Sequence, residues 1–132
     1  EKQKVFFSSL TYLQKIKSKS EEIDIDILKD ENFILVTGIA DSSYLVNFLK
    51  LKGLDFKHLK YSDHYNFNKS SIDKISKLSL NKKILTTEKD FGRLNPKVKN
   101  RDLFYIEVGL RFPREINDLD FNSYIKEYIN KD

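Results

Sequence analysis

The chain has no cysteine, no methionine and only 2 histidines in 132 residues. Without cysteine there is no disulfide framework, no thiolate nucleophile and no Cys-ligated zinc. His58 and His64 alone are too few for a histidine-based metal site. Neither G-x-x-x-x-G-K-[ST] nor G-x-G-x-x-G occurs, so the chain builds neither glycine-rich phosphate cradle by itself. The longest apolar-leaning run, Phe33 to Ala40, falls far short of the roughly 18 residues a membrane span needs. No signal peptide is visible, so a reducing, cytoplasmic setting is expected. Residue 1 is Glu and no Met follows, so the sequence is expected to be a fragment cut from a longer protein. Alanine is reduced to Ala40 while Lys, Ile, Asn and Ser abound, the bias that AT-rich codon usage produces.

What is present suits one soluble domain. Hydrophobic residues make up 39% and charged residues 33%, enough apolar material for a core and too much for a disordered chain. The net charge is +4, but only Arg93, Arg101, Arg111 and Arg114 are arginine. Lysine is a hydrated point charge and lacks the bidentate fork that clamps phosphate. A lysine excess spread along the chain therefore reads as a solvated surface rather than a nucleic-acid footprint. It also suits weak attraction to an anionic membrane face.

Local patterns place the elements. Val5 to Tyr12 is rich in strand formers, Gln14 to Glu22 is polar and loop-like, and Ile23 to Leu28 alternates as a half-exposed strand should. Phe33 to Val36 is a continuous apolar run, expected of a strand covered on both faces. Asp41-Ser42 signals a helix start, with Tyr44, Leu45, Phe48, Leu49 and Leu51 on one face and Gly53 as the stop. A second strand is expected over Phe56 to Tyr61, and Ser70-Ser71-Ile72-Asp73 matches a capping box for the next helix. Strands at Lys83 to Thr86 and Leu103 to Val108 follow. Gly92 and Pro96 shorten or break the helix between them. Phe121, Tyr124, Ile125, Tyr128 and Ile129 outline a terminal amphipathic helix. This alternation predicts a small three-layer α/β domain with a mainly parallel sheet.

In such a sheet the strand-to-helix loops share the carboxyl edge, where ligands bind. Three loops gather polar residues there: Thr37-Gly38-Ile39-Ala40-Asp41, Ser62-Asp63-His64-Tyr65-Asn66 and Thr86-Thr87-Glu88-Lys89-Asp90. Gly38 permits either a plain tight turn or a backbone approach to an anion at a helix start. Asp63-His64 sets a carboxylate beside an imidazole able to relay a proton, or simply a loop histidine. His58, inside a strand, reads as structural. Lys89 and Arg93 suit phosphate, with Thr87, Glu88 and Asp90 beside them as partners or as a helix cap.

These motifs, in this order and spacing, resemble the C-terminal half of the tetraacyldisaccharide 4'-kinase family of lipid A biosynthesis. The shared pattern is a GIA turn, a DH-aromatic segment and TTEKD followed by RL, seen here at Gly38-Ile39-Ala40, Asp63-His64-Tyr65, Thr86 to Asp90 and Arg93-Leu94. The opening VFFSSLTY also resembles the family's interdomain segment. The resemblance implies a Rossmann-like domain over residues 31–132 after linker strand and loop at 1–30, with the family's N-terminal P-loop domain absent from this chain. It implies that ATP with Mg2+ phosphorylates the 4'-hydroxyl of a lipid disaccharide at the cytoplasmic face of the inner membrane of Gram-negative bacteria. No nucleic acid and no metal bound by this portion is implied, and the portion alone is expected to be inactive.

By the same resemblance, His64 matches the histidine that acts with an aspartate of the P-loop domain, and Asp63 would orient it. From their loop position, Gly38, Thr87, Glu88, Lys89, Asp90 and Arg93 would line the cleft near nucleotide phosphate or the substrate's charged sugar, or instead hold the loop's shape. Tyr65 stands where the family often has a second histidine, Phe91-Gly92 replaces a small-aliphatic pair, and Asp41-Ser42 follows the GIA turn where proline is common. Two other classes fit the chain less well. A metal-dependent nuclease wants an acid and a lysine two apart on a strand, whereas Glu88 and Lys89 are adjacent. A non-catalytic interaction domain would use the same rim only to hold a partner.

Overall fold

The computed structural model describes residues 9–99 and 102–111. The chain clusters into two compact units, residues 12–107 and residues 1–11 with 108–132. The architecture below is that of the first unit, with the strand ends at 9–11 and 108–111.

Six strands form one sheet: β1 (Ser9–Lys17), β2 (Glu22–Asp24), β3 (Phe33–Thr37), β4 (Phe56–Lys60), β5 (Ile84–Thr87) and β6 (Leu103–Arg111). Their order across the sheet is β2-β1-β6-β5-β3-β4. β3 pairs in parallel with β4 and β5, and β5 with β6, while β1 and β2 are antiparallel. The helices are α1 (Ser43–Leu51), α2 (Lys69–Leu78) and α3 (Glu88–Leu94).

Every residue of β3 is buried, as its unbroken apolar run requires. Alternate side chains feed two cores. Phe33 and Leu35 join Leu45, Leu49, Leu85 and Phe104 on one face, and Ile34 and Val36 join Leu59, Ile75, Ile84 and Leu94 on the other. α1 thus covers one face and α2 and α3 the other, giving the three layers expected. Each fully buried Leu or Ile contributes on the order of 1.5–3 kcal/mol of transfer free energy.

Several local expectations shift. Gln14 to Lys17 lies within β1, not in a loop. Lys15 and Lys17 face Asp24 and Glu22 across the β1–β2 register, and such opposite-charge pairs favour the ladder. Residues 12–30 belong to the same compact unit as β3, β4 and β5. The Ile23 to Leu28 strand stops at Asp24, whose carboxylate accepts the Asp26 N–H at 2.8 Å and caps a 3-10 helix over Ile25–Asp30. Ile25 and Leu28, three apart, then share one buried face.

In α1 only Leu45 and Leu49 are fully buried, whereas Tyr44 and Leu51 lie on the solvent side at 79% and 88% exposure. The capping residue of α2 is Asn68, not Ser70: its side chain accepts the Ser71 N–H at 2.9 Å. Gly53 stops α1 region in the left-handed conformation, φ 78°, which glycine adopts without penalty. Val5 to Ser8 and the terminal helix lie outside the described residues.

Candidate functional site

The strand order reverses at β3. The connection through α1 leads to β4 on one side, and the connection through α2 crosses back to β5 on the other. In open α/β sheets this reversal leaves a crevice at the carboxyl ends of the strands. The loops after β3, β4 and β5 all emerge there because these strands are parallel.

Side chains stitch the rim together. The Thr86 hydroxyl donates to the Val36 carbonyl at 2.7 Å, tying β5 to β3. The Thr37 hydroxyl and His58 Nε2 lie 2.8 Å apart, tying β3 to β4. Burial, and secondarily the Lys60 charge, pushes His58 below the ordinary imidazole range. His58 is half-buried within β4 and paired to the neighbouring strand.

Asp90 is the common point of the first and third loops. Its side chain is fully buried. Oδ2 accepts the Gly38 N–H at 2.7 Å and the Thr87 hydroxyl at 2.9 Å, and Oδ1 accepts Arg93 Nη1 at 3.1 Å. Thr87 in turn caps α3, its hydroxyl oxygen accepting the Asp90 N–H at 3.1 Å. The Gly38 amide, read either as part of a tight turn or as an anion contact, is occupied by a carboxylate of the chain itself. A Cβ at Gly38 would sit 3.2 Å from Asp90 Oδ1 and 3.3 Å from the Ser62 carbonyl oxygen. A side chain there would press on both neighbours, so glycine suits this close approach.

The second loop is held to the first by the backbone. The Tyr61 and His64 N–H groups donate to the carbonyls of Thr37 and Gly38 at 2.7 and 3.0 Å. Tyr61, Tyr65 and Phe67 pack together, Phe67 edge-on to both tyrosines, with ring centroids 4.7–5.2 Å apart. Against this support His64 adopts φ 58°, the left-handed region that non-glycine residues seldom occupy. Such a conformation costs on the order of 1–3 kcal/mol and persists only where the surroundings enforce it.

The His64 side chain is 66% exposed, and its Nδ1 lies 2.8 Å from Arg93 Nη2. Asp63, expected to orient the ring, stands 3.8 Å from Nε2, beyond hydrogen-bond range. The short contact to the imidazole is Arg93's. Glu88 and Lys89 are exposed on the first turn of α3, while Thr87 and Asp90 turn inward. The three sequence motifs thus form one connected path, Gly38–Asp90–Arg93–His64. The Arg93–His64 contact was invisible in the sequence, where Arg93 read as a phosphate ligand. The aromatic support of the loop was also missed; the spacing of Tyr61, Tyr65 and Phe67 was its only trace.

Among the described residues no group of three or more His, Asp or Glu side chains is placed to hold a metal ion. Asp90 is buried with three donors already on it, and so is closed to one.

A family model described as tetraacyldisaccharide-1-P 4'-kinase matches residues 1–128. The chain belongs to that family. A tetraacyldisaccharide 4'-kinase of Flavobacterium psychrophilum is 33% identical over 128 residues, which is 97% of this chain and 36% of that protein. The Pelagibacter ubique protein of the same name is 36% identical over 92 residues, 67% of this chain and 29% of that one. The fold is similar to that of LpxK from Aquifex aeolicus, crystallised in complex with ATP. The TM-score is 0.60 at 22% identity, over 90% of this chain and 34% of that chain. This tetraacyldisaccharide kinase family member therefore spans about a third of the length of the relatives it matches.

Proposed function

We propose that the chain is the C-terminal portion of an ATP-dependent kinase that phosphorylates the 4'-hydroxyl of a tetraacyldisaccharide 1-phosphate. The observation that carries this reading is the convergence of the three family motifs on one rim through the Asp90 and Arg93 contacts. A pure interaction domain has no need for a strained, exposed histidine gripped by an arginine at the ligand edge.

In this proposal the rim closes one side of a cleft, and a P-loop domain closes the other. In this reading that domain holds ATP and its Mg2+; among the described residues no group of three His, Asp or Glu side chains is placed to hold a metal ion. Phosphoryl transfer depends on positioning and charge stabilisation, so a cleft shut from two sides suits it. His64 faces the acceptor hydroxyl and assists its activation together with a carboxylate of the P-loop domain. Lys89 and Glu88 lie on the open side of α3, where they meet the charged headgroup. Gly38, Thr87 and Asp90 hold the loops in register from below. The lipid acceptor requires work at the cytoplasmic face of the inner membrane, and the surplus of lysine suits an anionic surface.

The test is reconstitution. Joined to its upstream reading frame, the chain should transfer phosphate from ATP to the disaccharide lipid, and alone it should not. An upstream frame without a Walker A motif, or a joined protein inert on this lipid, would falsify the reading.

A further inference from the structure

The Arg93–His64 contact settles which imidazole nitrogen carries the proton. Arginine has N–H donors and no acceptor. At 2.8 Å from Arg93 Nη2, His64 Nδ1 must therefore accept, and the neutral ring carries its proton on Nε2. The guanidinium is itself anchored. Its other terminal nitrogen donates to Asp90 Oδ1, and Asp90 is fully buried and held by the Gly38 amide and the Thr87 hydroxyl. The side chain of Arg93 is 30% exposed against 66% for His64, so the arginine lies between the interior and the ring.

We infer that Arg93 is a positioning residue for His64: it spans from the buried Asp90 carboxylate to Nδ1 and leaves Nε2 as an N–H donor. While Arg93 holds the ring, Nε2 donates to an acceptor oxygen and does not take up a proton. Proton uptake at Nε2 of the neutral ring requires the proton to move to Nδ1, and that requires Arg93 to withdraw. Lysine cannot substitute, because one ammonium lacks the two-pronged span from carboxylate to imidazole. The mechanistic consequence rests on the kinase reading, whereas the ring state does not.

Two measurements test it. The first is a long-range proton–nitrogen correlation spectrum of the 15N-labelled 132-residue chain. It contains only His58 and His64, so His58→Gln assigns the signals. His64 should show a protonated Nε2 and an unprotonated, hydrogen-bonded Nδ1, and Arg93→Lys should move Nδ1 toward a free ring nitrogen. A proton on Nδ1, or a His64 pattern unmoved in a folded Arg93→Lys chain, overturns the inference. Should Arg93→Lys not fold, the wild-type spectrum alone still decides which nitrogen is protonated.

The second is a turnover cycle in the full-length kinase. Arg93→Lys should lower kcat on the order of tenfold to a hundredfold with KM little changed, and it should add nothing to His64→Ala. Equal losses in both backgrounds would mean that Arg93 only supports the fold, which overturns the positioning role. A full-length protein without kinase activity sinks the kinase reading and leaves the spectrum to judge the Arg93–His64 assignment.

Discussion

The Asp90 carboxylate accepts the Gly38 backbone N–H at 2.7 Å, joining residues 52 apart in the sequence. This single bond sets the loop after β3 against the start of α3. Because Arg93 extends from the same carboxylate to His64, it also ties the fold's interior to an exposed imidazole. The predictions below follow from that arrangement.

Asp90→Ala leaves the Gly38 amide, the Thr87 hydroxyl and the Arg93 guanidinium without their shared acceptor. The Arg93 side chain is 30% exposed and regains water, so the loss is set mainly by the buried donors left unsatisfied, about 1–3 kcal/mol each. Urea unfolding should show a lower midpoint with an unchanged slope. A midpoint within error of wild type would mean that the network contributes nothing to stability.

Gly38→Ala brings a methyl group to 3.2 Å from Asp90 Oδ1 and 3.3 Å from the Ser62 carbonyl. Both neighbours are fixed, one by hydrogen bonds and the other as backbone, so a loss of about 1–3 kcal/mol is expected, as for other overpacked sites. Thermal denaturation measures it, and a stabilised variant would show that the loop has slack.

Thr87→Val removes the cap of α3 and one donor to Asp90 while keeping the side chain's shape. Loss of a helix cap costs about 1 kcal/mol. Thr87→Ser, which keeps the hydroxyl, should recover most of it. Equal losses for Val and Ser would assign the effect to packing instead.

His58 is held below its ordinary value by burial first and by the Lys60 charge second. A base with a depressed folded-state value binds fewer protons folded than unfolded, so stability increases with pH across that window. Stability present above the ordinary imidazole value of 6.5 should fade as pH falls through the lower folded-state value. Urea midpoints taken from above neutrality into mild acid should fall, and His58→Gln should flatten that slope. An identical slope in the variant would place the titration elsewhere.

On the proposed function, His64→Ala in the chain joined to its P-loop domain should reduce turnover by about 10²–10³, the usual range for one lost preorganised hydrogen-bond donor. Lipid affinity should hardly change. Undiminished turnover would remove His64 from the chemistry.

Much of this was legible in the sequence. The all-apolar Phe33 to Val36 run required a strand covered on both faces, and the strand–helix rhythm required a parallel sheet whose loops share an edge. The TTEKD-x-x-RL segment reads as cleft lining or as a helix cap, of which Thr87 takes the capping role, and the segment's spacing sets Asp90 and Arg93 one helical turn apart. Those are short-range matters, governed by side-chain period, capping and hydrophobicity. Where local signals competed, the reading failed: Asp24 ended a strand that alternation alone would have extended, because its carboxylate offers the next turn an acceptor.

Only the tertiary structure decided what each rim residue faces. Asp90 and Lys89 are neighbours in sequence, both polar and both candidates for the cleft, yet one is fully buried and the other exposed. That outcome depends on Gly38, brought within hydrogen-bond range by the parallel pairing of β3 and β5. The partner of His64 was likewise beyond local inference, since Asp63 is adjacent in sequence but Arg93 is the residue in contact. Sequence determines which groups are available. Their pairing is decided by sheet register and loop geometry, since hydrogen bonds require separations near 3 Å that proximity along a chain does not supply.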